Sequence, residues 1–167
     1  QEEMDAIMYD AREGDLEFLK EVFTEMIPGL LLPTIKDKIT LSTPVHMAAG
    51  NGHLETLAFL LSLVDHDTAV ALANTPNETG NTPLHWACYG GHLKTVKFLV
   101  EKHGADVYAK NSSLHDALFE AESNGKTEVE NWLLLKFAVE EEVSIDESGE
   151  VTKITYTPGK ESYAVDK

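Results

Sequence analysis

Residues 43–61 read TPVHMAAGNGHLETLAFLL and residues 82–100 read TPLHWACYGGHLKTVKFLV; ten positions coincide in register at an offset of 39. Self-similarity at such a spacing marks a repeat architecture, in which each unit cannot bury its apolar face alone and must stack on its neighbours. Two weaker copies extend the array. DALFEAESNGKTEVENWLL (residues 116–134) lies 34 residues beyond the second copy and keeps Leu118, Ala121 and Gly125. DAIMYDAREGDLEFLKEVF (residues 5–23) places Gly14 38 residues before Gly52, with Ala11 at the place of Ala49 and Leu16 at that of Leu54. Four units thus occupy about residues 2–137.

Each copy encodes two helices and a turn. Thr43 and Thr82 are N-cap residues, and Pro44 and Pro83 follow at the first helical position, where no N–H is missed. Asp5 and Asp116 are expected to cap the outer copies in the same way. Gly14, Gly52, Gly91 and Gly125 can take the left-handed conformation that ends a first helix. A second helix follows, with Leu54, Leu57, Leu60 and Leu61, or Leu93, Val96, Leu99 and Val100, on one buried face.

TPVHMA and TPLHWA, each followed by GHL and an apolar helix, and then GADV at residues 104–107, resemble the ankyrin repeat. The resemblance implies an all-α fold, an α–α solenoid of about four units with degenerate terminal caps and short hairpin loops. The period of that family is about 33 residues, so the offset of 39 predicts roughly six extra residues as a longer loop within residues 64–80. Residues 27–42, with Pro28, Gly29 and Pro33, read as a second stretched connection. Beyond residue 137 the composition turns acidic, through Glu140, Glu141, Glu142, Asp146, Glu147 and Glu150. Residues 1–137 are therefore read as the repeat domain and 138–167 as an acidic, disordered tail. Within that tail Val151 to Tyr156 alternates like a strand, with no second strand evident to pair with it.

The net charge of −16 and pI near 4.7 disfavour direct binding of nucleic acid or anionic membrane and suit a basic partner. The acids sit at the ends: residues 1–27 hold nine acids against two bases, residues 115–150 eleven against two, and the middle is nearly neutral. One cysteine, Cys88, permits no internal disulfide, and no apolar run or signal pattern is present, which leads to the expectation of a trimmed or processed, soluble intracellular protein. The sequons at Asn77 and Asn111 have no role without secretion.

No catalytic signature, cofactor motif or metal-ligand spacing is found, and the chain is not expected to be an enzyme. The histidines follow the repeat: His46 and His85 belong to TPxH and are expected to tie neighbouring loops together by hydrogen bonds, while His53 and His92 belong to the loop after the glycine. His66, His103 and His115 are scattered. Ankyrin domains bind protein through the exposed side of each first helix and the hairpin loops, and that resemblance singles out Tyr9, Met47, Trp86 and Glu120, one residue past the motif histidine. It adds the pairs before the glycine, Arg12 with Glu13, Gly50 with Asn51, Tyr89 with Gly90, and Ser123 with Asn124. Trp86 and Tyr89 are the aromatic anchors, although Trp86 can equally pack between units. Glu78 and Asn81 belong to the hairpin tip of residues 77–81.

Three segments, HMAAGNGHLETL, NETGNTPLHWACYGGHLKTVKFL and DALFEAESNGKTEVENWLL, are similar to a narrower family, the fungal ankyrin-repeat chaperones dedicated to the KH-domain protein of the small ribosomal subunit. That similarity implies a cytoplasmic and nuclear protein, a monomer in a one-to-one complex, which keeps a newly made basic ribosomal protein soluble and releases it during subunit assembly. A generic ankyrin adaptor and a chaperone of another basic nuclear protein are the competing readings.

Overall fold

The computed structural model describes residues 2–137, 139–145 and 151–158. In chain order, the first unit holds α1 (Glu2–Glu13) and α2 (Leu16–Glu21), and the second α3 (Pro44–Gly50) and α4 (Leu54–Ser62); an additional helix, α5 (His66–Ala73), follows. The third unit holds α6 (Pro83–Gly90) and α7 (Leu93–His103), and the fourth α8 (Ala117–Ser123) and α9 (Thr127–Phe137). A strand β1 (Val139–Ile145) and a strand β2 (Val151–Pro158) come last. The chain divides into two compact units, Gln1–Val129 and Glu130–Lys167.

Within Gln1–Val129 the initial helices of successive repeats lie side by side, α1 on α3, α3 on α6 and α6 on α8. They approach closely because the facing residues are small: Ala11, Ala48, Ala49, Ala87 and Ala121 are fully buried. Leu19, Leu57, Leu60, Val96 and Leu99 from the second helices complete the core, each contributing about 1.5–3 kcal/mol of apolar burial.

Thr43 and Thr82 stand in extended backbone ahead of their prolines, and Asp116 accepts from the Phe119 N–H at 2.9 Å, as caps do. Asp5 differs. It lies in the first turn of α1 because Glu2, Glu3 and Met4, good helix formers with acids suited to the positive helix end, carry the helix upstream.

Each motif imidazole joins two units. His46 Nδ1 accepts from the Thr43 N–H at 3.2 Å, and its Nε2–H donates to the Asn81 carbonyl of the next repeat at 2.9 Å. His85 repeats the pattern, with the Thr82 N–H at 3.1 Å and the His115 carbonyl at 3.0 Å. The other pair reaches backwards: His53 Nε2–H donates to the Arg12 carbonyl at 2.9 Å, and His92 Nε2–H to the Gly50 carbonyl at 3.0 Å. These rings lie on the preceding glycines. A Cβ on Gly14 (φ +79°) would stand 2.6 Å from His53 Nδ1, and one on Gly52 (φ +74°) 2.4 Å from His92 Nδ1.

The hairpins stack as well. Glu78 N–H donates to Thr40 O at 2.8 Å and Ser112 N–H to Thr79 O at 3.0 Å. Each hairpin turns on an acceptor side chain, Asp37, Asn77 or Asn111, and on a left-handed residue two places before the helix cap, Leu41 (φ 56°), Gly80 (φ 74°) or Leu114 (φ 64°). The leucines hold a strained backbone that the surrounding bonds impose.

Three further expectations need correction. The longer loop expected within residues 64–80 contains α5, because Asp65 caps it through the Thr68 N–H at 3.0 Å and Ala69, Leu72 and Ala73 are buried. Those bonds, the Thr68 N–H first, hold the Asp65 carboxyl below the usual carboxylate range. Residues 27–42 likewise contain a 3₁₀ turn, Gly29–Thr34, after a π-helical stretch, Val22–Met26. In the tail, β2 finds its partner in β1: the two run antiparallel, with Glu141 opposite Tyr156 and Val143 opposite Ile154, and an irregularity between Ser144 and Ile145. The acidic run of Glu140 to Glu142 concealed that strand, since glutamates are depleted from strands. Asp146, Glu147, Glu150 and residues 159–167 lie outside the described residues.

Two stability measurements test this account. Gly52→Ala is expected to cost about 2–4 kcal/mol, from the left-handed backbone and the displaced His92 ring. Gly125→Ala, with φ +66° and open space around it, should cost only the backbone share of roughly 1–2 kcal/mol, and equal losses in urea titration would refute a role for the ring contact. Burial holds His46 down at about 4, below its ordinary 6.5. The unfolded chain therefore takes up a proton near pH 6.5 that the folded chain refuses until about pH 4. Stability is complete above pH 6.5 and declines on acidification toward pH 4, by on the order of 3 kcal/mol from this ring. His46→Gln should flatten that part of the stability–pH curve.

Candidate functional site

Trp86 and Tyr89 lie one turn apart on α6, and Glu120 occupies on α8 the place that Trp86 occupies on α6. Together with Gly50 and Asn51 at the end of α3, they surround a recess of about 410 Å³, whose wall is completed by Asn81 and His85. The site is formed by parts of three successive repeats.

Trp86 serves two roles. Its ring meets that of His46 edge-on at 5.3 Å between centroids, and it lies so near Gly50 that a Cβ there would approach its Cε3 to 3.1 Å. It remains half-buried, with one side toward the recess. Tyr89 is 59% exposed at the mouth. The Glu120 side chain is only 15% exposed; its Oε1 accepts from Asn111 Nδ2 at 3.2 Å and lies 3.3 Å from His115 Nδ1. Asn111 also donates to Asn81 Oδ1 at 2.8 Å, which links the floor of the recess to both hairpins. Both nitrogens of His85 are engaged with Thr82 and His115 and leave nothing for a ligand.

Six of the candidate residues therefore converge: Gly50, Asn51, Asn81, Trp86, Tyr89 and Glu120. The others lie elsewhere. Tyr9 (63% exposed), Arg12 and Glu13 are on α1, and the Arg12 carbonyl is already taken by His53. Met47 is half-buried on α3, and Glu78 is exposed at its hairpin tip. Ser123 and Asn124 are exposed at the end of α8, where the Ser123 hydroxyl donates to Phe119 O and Asn124 Nδ2 to Glu120 O at 2.8 Å. Sequence reasoning assigned His85 to structure alone and gave no hint of a cavity, because the residues that enclose it are up to 70 positions apart.

Cys88 lies behind the site and is fully buried. Burial, and then the charges of Glu120 and Asp116, push its thiol up to about 12, so it is no nucleophile. Among the described residues no group of His, Cys, Asp or Glu could hold a metal ion, and no helix is long and apolar enough to cross a membrane.

The family model of ankyrin repeats matches residues 7–111 as three copies. The ankyrin repeat-containing protein YAR1 of Saccharomyces cerevisiae is 46% identical over 171 aligned residues, spanning 100% of this chain and 82% of the yeast protein. Among solved structures, the crystal structure of the yeast ribosomal protein Rps3 in complex with its chaperone Yar1 contains a chain similar to this one. It has a TM-score of 0.80 and 45% identity, over 85% of this chain and 97% of that one.

The two aromatic residues should separate in mutagenesis. Trp86→Ala is expected to destabilise by about 2 kcal/mol, less than the roughly 3–5 kcal/mol of a fully buried tryptophan. Tyr89→Ala should leave the unfolding midpoint within about 0.5 kcal/mol of the parent. A large loss at Tyr89 would place it in the core.

Proposed function

The chain belongs to the ankyrin-repeat family, and on that premise we propose that it is a dedicated chaperone of a newly made, basic ribosomal protein of the small subunit. The observation that carries this reading is 46% identity along the whole chain to yeast Yar1, which the solved complex describes as the chaperone of Rps3. The partner proposed here is the counterpart of Rps3, the KH-domain protein, held in a one-to-one complex by a monomer.

The charge map supports the role. A basic RNA-binding protein without its RNA is prone to aggregate and to seize other polyanions, and an acidic surface substitutes for the missing phosphates. Ribosomal RNA can then compete for the same basic surface, so release follows from differential affinity and needs no catalysis or nucleotide. The protein acts as a binder and not as an enzyme, and it works in the cytoplasm, where the ribosomal protein is made, and in the nucleus, where it is delivered. The binding face proposed is the exposed side of the first helices with the hairpin tips, from Tyr9, Arg12 and Glu13 through Met47, Asn51, Glu78 and Asn81 to Trp86, Tyr89, Glu120, Ser123 and Asn124.

Mixing the purified chain with the Rps3 counterpart, free of RNA, should give a one-to-one complex by light scattering whose dissociation constant rises at least tenfold as salt increases from low to high ionic strength. Tyr89→Ala should weaken it about tenfold, as loss of an aromatic anchor does. No complex with that protein, together with salt-insensitive recovery of a neutral or acidic partner from cells, would replace the chaperone with an adaptor.

A further inference from the structure

We propose that the recess between α3, α6 and α8 is a subsite for a single arginine side chain, which lays its guanidinium against Trp86 and Tyr89 and pairs it with the Glu120 carboxylate. The proposal deepens the reading above and rests on it only in taking the bound protein to be basic.

The size comes first. At about 410 Å³ the recess lies toward the lower end of the range for small-ligand sites, roughly 300–1,000 Å³, and accommodates one long side chain and not a helix. Its charge comes next. Glu120 is the carboxylate that lines it, and both His85 nitrogens are committed to Thr82 and His115. The Glu120 carboxylate is poorly solvated and incompletely satisfied: Oε1 has two long contacts, at 3.2 and 3.3 Å, and Oε2 makes no hydrogen bond among the described residues. A carboxylate so placed gains from a cation that brings its own donors. An anionic ligand would be repelled, and a purely apolar one would leave that oxygen desolvated without a partner.

The aromatic residues choose between the two cations. A guanidinium is planar, weakly hydrated and able to stack on a ring while forking onto a carboxylate, whereas an ammonium is a compact, strongly hydrated point charge. Tyr89, 59% exposed, stands at the mouth, and Trp86 is held in place by the His46 ring and by the bare backbone of Gly50. The Trp86 face is therefore held in place before the ligand arrives, which lowers the entropy lost on binding.

The test uses the full chain labelled with ¹⁵N and three small probes, Nα-acetyl-arginine amide, Nα-acetyl-lysine amide and Nα-acetyl-citrulline amide, the last a neutral near-isostere of the first. The arginine probe should shift the Trp86 indole N–H and the Tyr89 amide saturably, while the lysine and citrulline probes bind at least fivefold more weakly. Glu120→Gln should cut the preference for arginine over citrulline severalfold, leaving only the share due to stacking of the cation on the rings. Should that variant disturb the Asn111 and His115 hairpin, Tyr89→Leu provides the second case, with arginine affinity reduced and the fold intact. Equal response to arginine and citrulline, or shifts that bypass Trp86, would overturn the subsite. A chain that takes the arginine probe but ignores the ribosomal protein would end the chaperone reading and leave the subsite standing; the reverse result would end the subsite alone.

Discussion

Four imidazole-to-carbonyl hydrogen bonds hold successive repeats in register, and the placement of the remaining side chains follows from them. His46 and His85 reach forward to the carbonyls of Asn81 and His115, and His53 and His92 reach back to those of Arg12 and Gly50. At His46 and His85 a neutral imidazole suits this task because Nδ1 accepts locally while Nε2–H donates across the interface. Burial keeps His46 in that neutral form. The glycines complete the arrangement: left-handed backbone at Gly14 and Gly52 ends each first helix, and the missing side chain leaves room for the ring of the next repeat.

The terminal repeats carry neither histidine. Met8 and Phe119 stand where the motif histidine would be, and Asp15 and Lys126 replace the histidine after the glycine. Lys126 instead lays its aliphatic stem along Gly91, where a Cβ would meet its Cδ at 2.7 Å. All four imidazole bridges are therefore supplied by the two interior repeats. Glu120, which follows Tyr9, Met47 and Trp86 at one repeat position, then has a consequence, since it places a carboxylate in the same recess as the ring of Trp86 from the previous unit. The recess follows from an interior repeat meeting a degenerate one.

Much of this was legible along the chain. The recurrence of TPxH and GHL identified the units, their caps and their helix ends, because those features depend on neighbours within four residues. The aromatic anchors and Glu120 were legible as positions in a repeat, but not as members of one cavity. Helix α5 was missed because the surplus over the repeat period read as loop, although Asp65 and the alanines after it favour a helix. Strand β1 was missed because three glutamates outweighed Val139, Val143 and Ile145 in a composition-based reading.

What the sequence by itself determined was the repeat, with its caps, stops and buried stripe, together with acidic ends whose charge suits a basic partner; these are local or summed properties that need no coordinates. Only the tertiary structure decided that His85 is fully committed, that Trp86 is both wedge and wall, and that the Glu120 carboxylate has an oxygen to offer. Those outcomes depend on atoms brought together from repeats some 30 to 40 residues apart, and the stacking distance between helices, set by alanine and glycine backbones, has no signature in any one segment.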